Sequence, residues 1–151
     1  MKTSSRQDID NFIKARTVAI AGVSRNVQSF SAQVVTHLSK QGYELLLVNP
    51  AFENSPDSHH FKQVSDLPDN INSLLVLTPP AQTLEVIKQA IKKGIKNIWI
   101  QQYSETSEAL LLAQSASINL VFGHCIFMFT QPEGFHKFHY NIKRIFRSLP
   151  S

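Results

Sequence analysis

The chain has 151 residues, 42% of them hydrophobic and 17% charged, a composition that excludes a disordered protein and fits one globular domain. Its length allows burial of roughly 70% of the unfolded surface, so folding needs no disulfide or metal. The net charge of +4 is localised, because the 11 basic and 11 acidic residues of 1–133 balance. The excess consists of four later cations, Lys137, Lys143, Arg144 and Arg147. The charge is therefore weak evidence for a nucleic-acid partner.

Cysteine content and hydropathy indicate where the protein resides. Cys125 is the one cysteine, which excludes an intrachain disulfide and indicates a reducing compartment. The first residues lack the apolar core of a signal peptide, and no apolar run approaches the ~18 residues that cross a bilayer. We therefore expect a cytoplasmic protein with no membrane partner and no nucleic-acid partner.

Apolar periodicity predicts alternating helices and strands along the chain. A short helix is predicted at 6–14, with Ser5 as its N-cap and Asp8 in its first turn. Five buried strands are predicted, at 17–22, 44–50, 73–80, 97–102 and 119–123. Amphipathic helices are predicted at 31–41, 81–93, 105–115 and 134–149, the second helix of the chain being capped by Ser31. The polar segment 51–72 is long enough for a functional loop or an unrecognised short strand.

The order of these elements predicts the fold class. Continuously apolar strands that alternate with amphipathic helices are typical of a parallel sheet covered on both faces. We therefore predict a three-layer, doubly wound α/β fold of the Rossmann-like type with about five strands. No linker, repeat or charge block divides the sequence, so we expect one domain over 1–151 that ends in a basic amphipathic helix.

Distinctive residues occupy the carboxyl ends of four predicted strands, at the sheet edge where open α/β folds bind ligands. Gly22 permits a tight turn close to a phosphate, and amides before the helix at Ser31 add partial positive charge. Ser24 adds a hydroxyl and Arg25 a permanent cation. The four sets are Gly22-Val23-Ser24-Arg25, Asn49-Pro50, Thr78-Pro79-Pro80 and Gln101-Gln102. They predict a site for a phosphate-containing ligand, the alternative being an ordinary turn with a surface arginine.

Two common nucleotide-binding motifs are absent from the sequence. G-x-G-x-x-G would need glycines where the chain has Ser24 and Val27, and G-x-x-x-x-G-K-[ST] does not occur. The second strand ends in Asn49-Pro50, whereas an NAD site typically has an acid there that binds the ribose. These departures weaken the interpretation as a redox-cofactor site, and an NAD(P)-binding or other nucleotide-binding protein is the alternative.

A series of short motifs extends over nearly the whole chain. It comprises 19–26 (AIAGVSRN), 42–44 (GYE), 48–50 (VNP), 67–68 (LP), 78–80 (TPP), 94–96 (GIK), 99–101 (WIQ), Cys125 and 134–139 (GFHKFH). Each motif is weak alone. Together and in this order they resemble the small CoA-binding protein family, which is similar to the CoA-binding domain of the succinyl-CoA synthetase alpha subunit.

The resemblance implies a Rossmann-like domain that binds coenzyme A or an acyl-CoA at the carboxyl ends of its strands, as an accessory protein and not as a complete enzyme. It also implies roles for individual residues. Gly22, Val23, Ser24 and Arg25 would hold the phosphates, and Asn49 and Pro50 would flank the adenosine. Thr78, Pro79 and Pro80 would shape the wall of the cleft, and Gln101 would lie toward the pantetheine arm.

The sequence departs from the family's pattern at several positions. Val27 replaces a frequent proline, Ser31 a frequent glycine, and Tyr103 the glycine of a Trp-x-Gln-x-Gly pattern. A side chain at Ser31 would either crowd a phosphate or cap the helix and help to bind the phosphate. These departures do not change the predicted fold, but CoA affinity does not follow from the resemblance and has to be measured.

Cys125 is the candidate for covalent chemistry. Its thiolate would need a nearby cation or helix N-terminus, and inert packing is the favoured interpretation. The spacing of His124, Cys125, His136 and His139 matches no zinc signature, so no metal site is predicted. Two further alternatives are an enzyme that uses Cys125 with a nucleotide ligand, and a regulatory module that forms a homodimer through the helix at 134–149.

Overall fold

The computed structural model describes residues 4–130. The strands are β1 (Thr17–Ala21), β2 (Glu44–Val48), β3 (His60–Phe61), β4 (Ser73–Val76), β5 (Asn97–Ile100) and β6 (Asn119–Phe122). The helices are α1 (Arg6–Ile13), α2 (Phe30–Lys40), α3 (Pro80–Lys93) and α4 (Ser107–Ser115). All the strand pairs are parallel, in the order β3-β2-β1-β4-β5-β6. The topological switch point therefore lies between β1 and β4.

Side chains alternate along each strand between two separate cores. One core joins sheet residues such as Leu74 and Ile98 to Ile87 of α3 and Ala109 of α4. The other core joins Ile20, Leu75 and Trp99 to Phe12 of α1 and Leu38 of α2. Helices thus cover both faces of the sheet, which confirms the predicted three-layer α/β fold.

The helix ends follow local hydrogen bonding, with one correction to the prediction. Ser5 and Asp8 form the expected capping box of α1. The predicted cap of α2, Ser31, is wrong, because the helix begins at Phe30 and the Ser29 hydroxyl accepts the Ala32 amide at 3.1 Å. Ser31 therefore lies in the first turn, where its side chain is buried.

The sheet has six strands where five were predicted. β3 has two residues and pairs with β2, with Phe61 opposite Val48. It lies inside the polar segment 51–72, and two residues are too few for an apolar periodicity to be recognised. β3 matters for the site because it brings Lys62 and Gln63 to the same sheet edge as Asn49.

The predicted helix at 134–149, with its four cations, lies outside the described residues. Among the helices of residues 4–130, none combines the length and hydropathy of a membrane span.

Candidate functional site

A cleft of about 840 Å³ opens at the carboxyl edge of the sheet, beside the switch point. Its walls come from the ends of β1 and β2, the residues after β3 and β4, and the first half of α3. The cleft brings together most of the predicted site residues, namely Gly22, Ser24, Arg25, Asn49, Pro50, Thr78 and Pro79. Sequence positions up to 57 residues apart thus meet because parallel strands end at one edge.

Gly22 is required by the neighbouring strand as well as by its own turn. Its φ is +90°, and a Cβ at this position would lie 2.7 Å from the Thr78 amide nitrogen and 2.8 Å from the Leu77 carbonyl carbon. The Gly22 and Val23 amides both donate to the Val48 carbonyl, at 3.0 and 3.3 Å. Besides the predicted close approach to a phosphate, Gly22 thus has a backbone contact that excludes any side chain.

The loop between β1 and α2 is held in shape by its own polar side chains. Ser31 lies beneath the loop, where its hydroxyl accepts the Ser24 amide at 2.8 Å. The Ser24 hydroxyl accepts the Asn26 amide at 3.0 Å, and the Asn26 side chain accepts the Gln28 amide at 2.9 Å. The serine at 31 therefore neither caps the helix nor lines the cleft; it positions Ser24.

Asn49 ties two walls of the cleft together. Its amide nitrogen donates to the Val23 carbonyl, and its side-chain oxygen accepts the Ala51 amide at 2.7 Å. An aspartate here would place a carboxylate against the Val23 carbonyl and would lose the donor. The hydrogen bonding of this site therefore favours an amide at the position where NAD sites typically carry an acid.

Thr78 connects the end of β4 to α3 and to the loop after β5. The Thr83 hydroxyl donates to the Ser104 carbonyl at 2.7 Å, so the Thr78 hydroxyl donates to Thr83, also at 2.7 Å. Thr78 and Thr83 are both buried. Pro79 is exposed and lines the cleft, whereas Pro80 is the first residue of α3 and is not part of the lining.

Gln101 and Cys125 lie together in the protein interior and do not line the cleft. The Gln101 side-chain oxygen accepts the Ile126 amide at 3.0 Å, and its nitrogen has no hydrogen bond of ordinary geometry with a described residue. Burial raises the pKa of the Cys125 thiol, and the adjacent Gln101 amide opposes this only in part. A thiol that is buried and harder to ionise is a poor nucleophile.

Several cleft residues were not identified from the sequence. Lys62 and Gln63 were missed because they follow β3, which gives no periodic signal. Gln82, Glu85 and Gln89 line the cleft from α3 at helical spacing, opposite the buried Ile87, and this polar stripe was present in the sequence. Within residues 4–130, no group of three or more His, Cys, Asp or Glu side chains is placed to hold a metal ion.

Comparisons with known proteins find similar sequences and similar folds. The chain is 26% identical over 105 residues to acetate–CoA ligase (ADP-forming) II of Archaeoglobus fulgidus, a match to 67% of this chain and 16% of the ligase. A conserved hypothetical protein from Pyrococcus furiosus has a TM-score of 0.68 and 29% identity, over 74% of this chain and 96% of that chain. A hypothetical protein from Pyrococcus horikoshii has a TM-score of 0.71 and 26% identity, over 95% and 97% respectively.

A family profile gives the assignment. The profile described as CoA binding domain matches residues 16–131, which include every residue that lines the cleft. Because the match covers well over half of the sequence, the chain belongs to the CoA binding domain family.

Proposed function

We propose that this protein binds coenzyme A or an acyl-CoA in the cleft at the carboxyl edge of its sheet, as a binding protein without a catalytic step of its own. The observation that carries the proposal is the coincidence of the family match, residues 16–131, with the residues that form the cleft. The position of the cleft at the switch point is where open α/β sheets bind nucleotides.

The walls of the cleft match the chemical groups of CoA. Arg25 lines the cleft from the exposed loop between β1 and α2, and its permanent cation favours a diphosphate. Pro79 and Ala81, which are exposed, and the half-buried Val86 supply apolar surface for the adenine ring and the pantetheine arm.

The site favours CoA over NAD on electrostatic grounds. Lys62 contributes a second cation to the cleft, and Asn49 stands where an acid would bind free ribose hydroxyls. CoA carries a phosphate on its adenosine ribose, so a carboxylate near that ribose would be unfavourable and a cation favourable.

A binding role is supported by the position of the one cysteine. Cys125 is 3% exposed and outside the cleft lining, so it offers no nucleophile to a ligand there. The chain spans 16% of the length of the acetate–CoA ligase. We therefore do not propose the ligase reaction for this chain.

Isothermal titration with CoA, acetyl-CoA, NAD, NADP and ATP tests the proposal. We expect CoA or acetyl-CoA to bind more tightly than the other three, and to add about 2.7 kcal/mol to the free energy of unfolding at 100 times its Kd. Arg25→Gln should weaken CoA binding by about tenfold, the value of one charge-assisted contact. Lys96→Gln is the matched control, because it removes the same charge just before β5, at the opposite sheet edge. Binding of NAD without binding of CoA would overturn the proposal.

A further inference from the structure

The strand that the sequence did not predict places a lysine beside the proposed adenosine site. β3 pairs with β2 in parallel, and the Asn49 amide donates to the Phe61 carbonyl at 3.0 Å. The next residue, Lys62, therefore leaves the sheet beside Asn49 and lines the cleft. In this fold, the end of β2 is where the ribose of a bound adenosine is recognised.

Among the residues that the structure describes, Arg25 and Lys62 are the two cations that line the cleft. Arg25 follows β1 and Lys62 follows β3, with β2 between them. Because neighbouring strands lie ~4.8 Å apart, the two chain segments are separated by about 10 Å at the sheet edge. CoA has two anionic groups on the same ribose, the 5′-diphosphate and the 3′-phosphate. A cation at each end of one sugar matches this charge pattern.

Lys62 has a local ion-pair partner, Glu53. Its Nζ lies 3.2 Å from Oε1 of Glu53, which follows the turn after β2, and the two side chains are 48% and 64% exposed. An ion pair this exposed is weak and exchangeable, so a phosphate dianion can compete with the carboxylate for the ammonium group. Glu85 lines the same cleft from α3, so the lining is not uniformly basic.

We propose that Lys62 recognises the 3′-phosphate of CoA and that its ion pair with Glu53 opposes this contact. Lys62 is then the residue by which the site distinguishes CoA from dephospho-CoA, which lacks that phosphate. This inference rests on the proposed CoA binding and adds that Lys62 contacts the 3′-phosphate of the ligand. Arg25 serves the diphosphate, which CoA and dephospho-CoA share.

Titrations of CoA and dephospho-CoA into three variants test the assignment. The wild type should bind CoA about tenfold more tightly than dephospho-CoA, and Lys62→Gln should lose this factor while its dephospho-CoA affinity changes less than about twofold. Glu53→Gln should tighten CoA binding by about threefold, the value of a weak exposed ion pair. Lys96→Gln removes an equal charge far from the cleft and should leave both affinities unchanged.

Different results would contradict the role of Lys62 and the proposed CoA binding. Equal weakening of CoA and dephospho-CoA binding by Lys62→Gln would overturn the assignment of Lys62 to the 3′-phosphate, while the proposed function, CoA binding by the wild type, would stand. A wild type that does not distinguish the two ligands would also overturn it. Failure of the wild type to bind CoA at all would overturn the proposed function, and the inference with it. Thermal unfolding of each variant should show a folded domain, because Lys62 and Glu53 are exposed and outside both cores.

Discussion

Replacing Gly22 with alanine tests the close contact between β1 and β4 at the switch point. The added Cβ would lie 2.7 Å from the Thr78 amide nitrogen and 2.8 Å from both the Leu77 carbonyl carbon and the Thr78 Cα. All three are backbone atoms, so no side-chain rotation relieves the overlap. The backbone at the end of β4 must move away from β1, or the turn must change its conformation.

The expected cost has a conformational part and a steric part. A φ of +90° costs an alanine about 1–2 kcal/mol relative to glycine. Forcing extra volume into a packed region lowers the free energy of unfolding by about 1–3 kcal/mol more. Alanine also reduces the entropy of the unfolded chain, which offsets about 0.4–1 kcal/mol of this loss. Gly22→Ala should therefore lower the free energy of unfolding by about 1–5 kcal/mol, a large part of a typical domain's stability.

Gly94→Ala is the matched control for the steric part. Gly94 ends α3 with a φ of +86°, and an added Cβ there would have no neighbour within 4 Å. Its cost should be only the conformational part, about 1 kcal/mol. Urea unfolding followed by the fluorescence of the single, fully buried Trp99 gives both values, and an unchanged m-value shows that the transition is comparable.

The difference in the free energy of unfolding between the two variants measures the steric cost at Gly22. If Gly22→Ala destabilises the protein no more than Gly94→Ala, the approach of β4 does not constrain this position and the reasoning is refuted. A further consequence concerns the cleft, because displacement of Thr78 moves one of its walls. We therefore expect Gly22→Ala to bind CoA more weakly as well, in the same titration that tests the proposed function.

Four further predictions concern residues around the site. Tyr103 has a φ of +75°, so Tyr103→Gly should raise the free energy of unfolding by about 1 kcal/mol, whereas Tyr103→Ala, which keeps the strain, should not; equal effects would contradict this. Thr83→Val keeps the shape but removes the bonds to Ser104 and Thr78, and should cost about 1–3 kcal/mol in urea unfolding; a neutral result would refute the network. Burial lowers the pKa of His37 from 6.5, so the unfolded chain binds more protons below that pH; stability should fall as the pH drops from 7 to 5, and His37→Gln should flatten this slope. Because burial raises the pKa of Cys125, iodoacetamide should alkylate it more slowly in the native than in the urea-unfolded protein; equal rates would contradict its burial.

The positions of the five long strands were well predicted because their signals are local, although β2, β4 and β5 end two to four residues before the predicted ends at 50, 80 and 102. A run such as 17–22 is apolar because it is buried on both faces, and the glycine that ends it marks a turn whatever the rest of the chain does. The same holds for Asn49 and Thr78, whose positions after buried strands placed them at the cleft. The α2 cap was misassigned because Ser29 and Ser31 are both plausible caps, and only the backbone conformation distinguishes them.

The roles of individual side chains depended on contacts between distant segments. Whether Asn49 faces a ligand or binds Val23 depends on how closely the β1 and β2 loops approach, and no local pattern encodes that distance. Gln101 was expected near the ligand, yet its side chain turns inward to the Ile126 amide.

The sequence by itself determined the alternation of helices and strands, the burial of the sheet on both faces and the edge at which a ligand would bind. These properties follow from hydrophobic periodicity and turn chemistry, which act over a few residues. Only the tertiary structure decided the sixth strand, the contact that excludes a side chain at Gly22, and the place of Lys62 beside the proposed adenosine site. Those depend on the pairing of strands far apart in the chain, whose register is set by packing of the whole sheet.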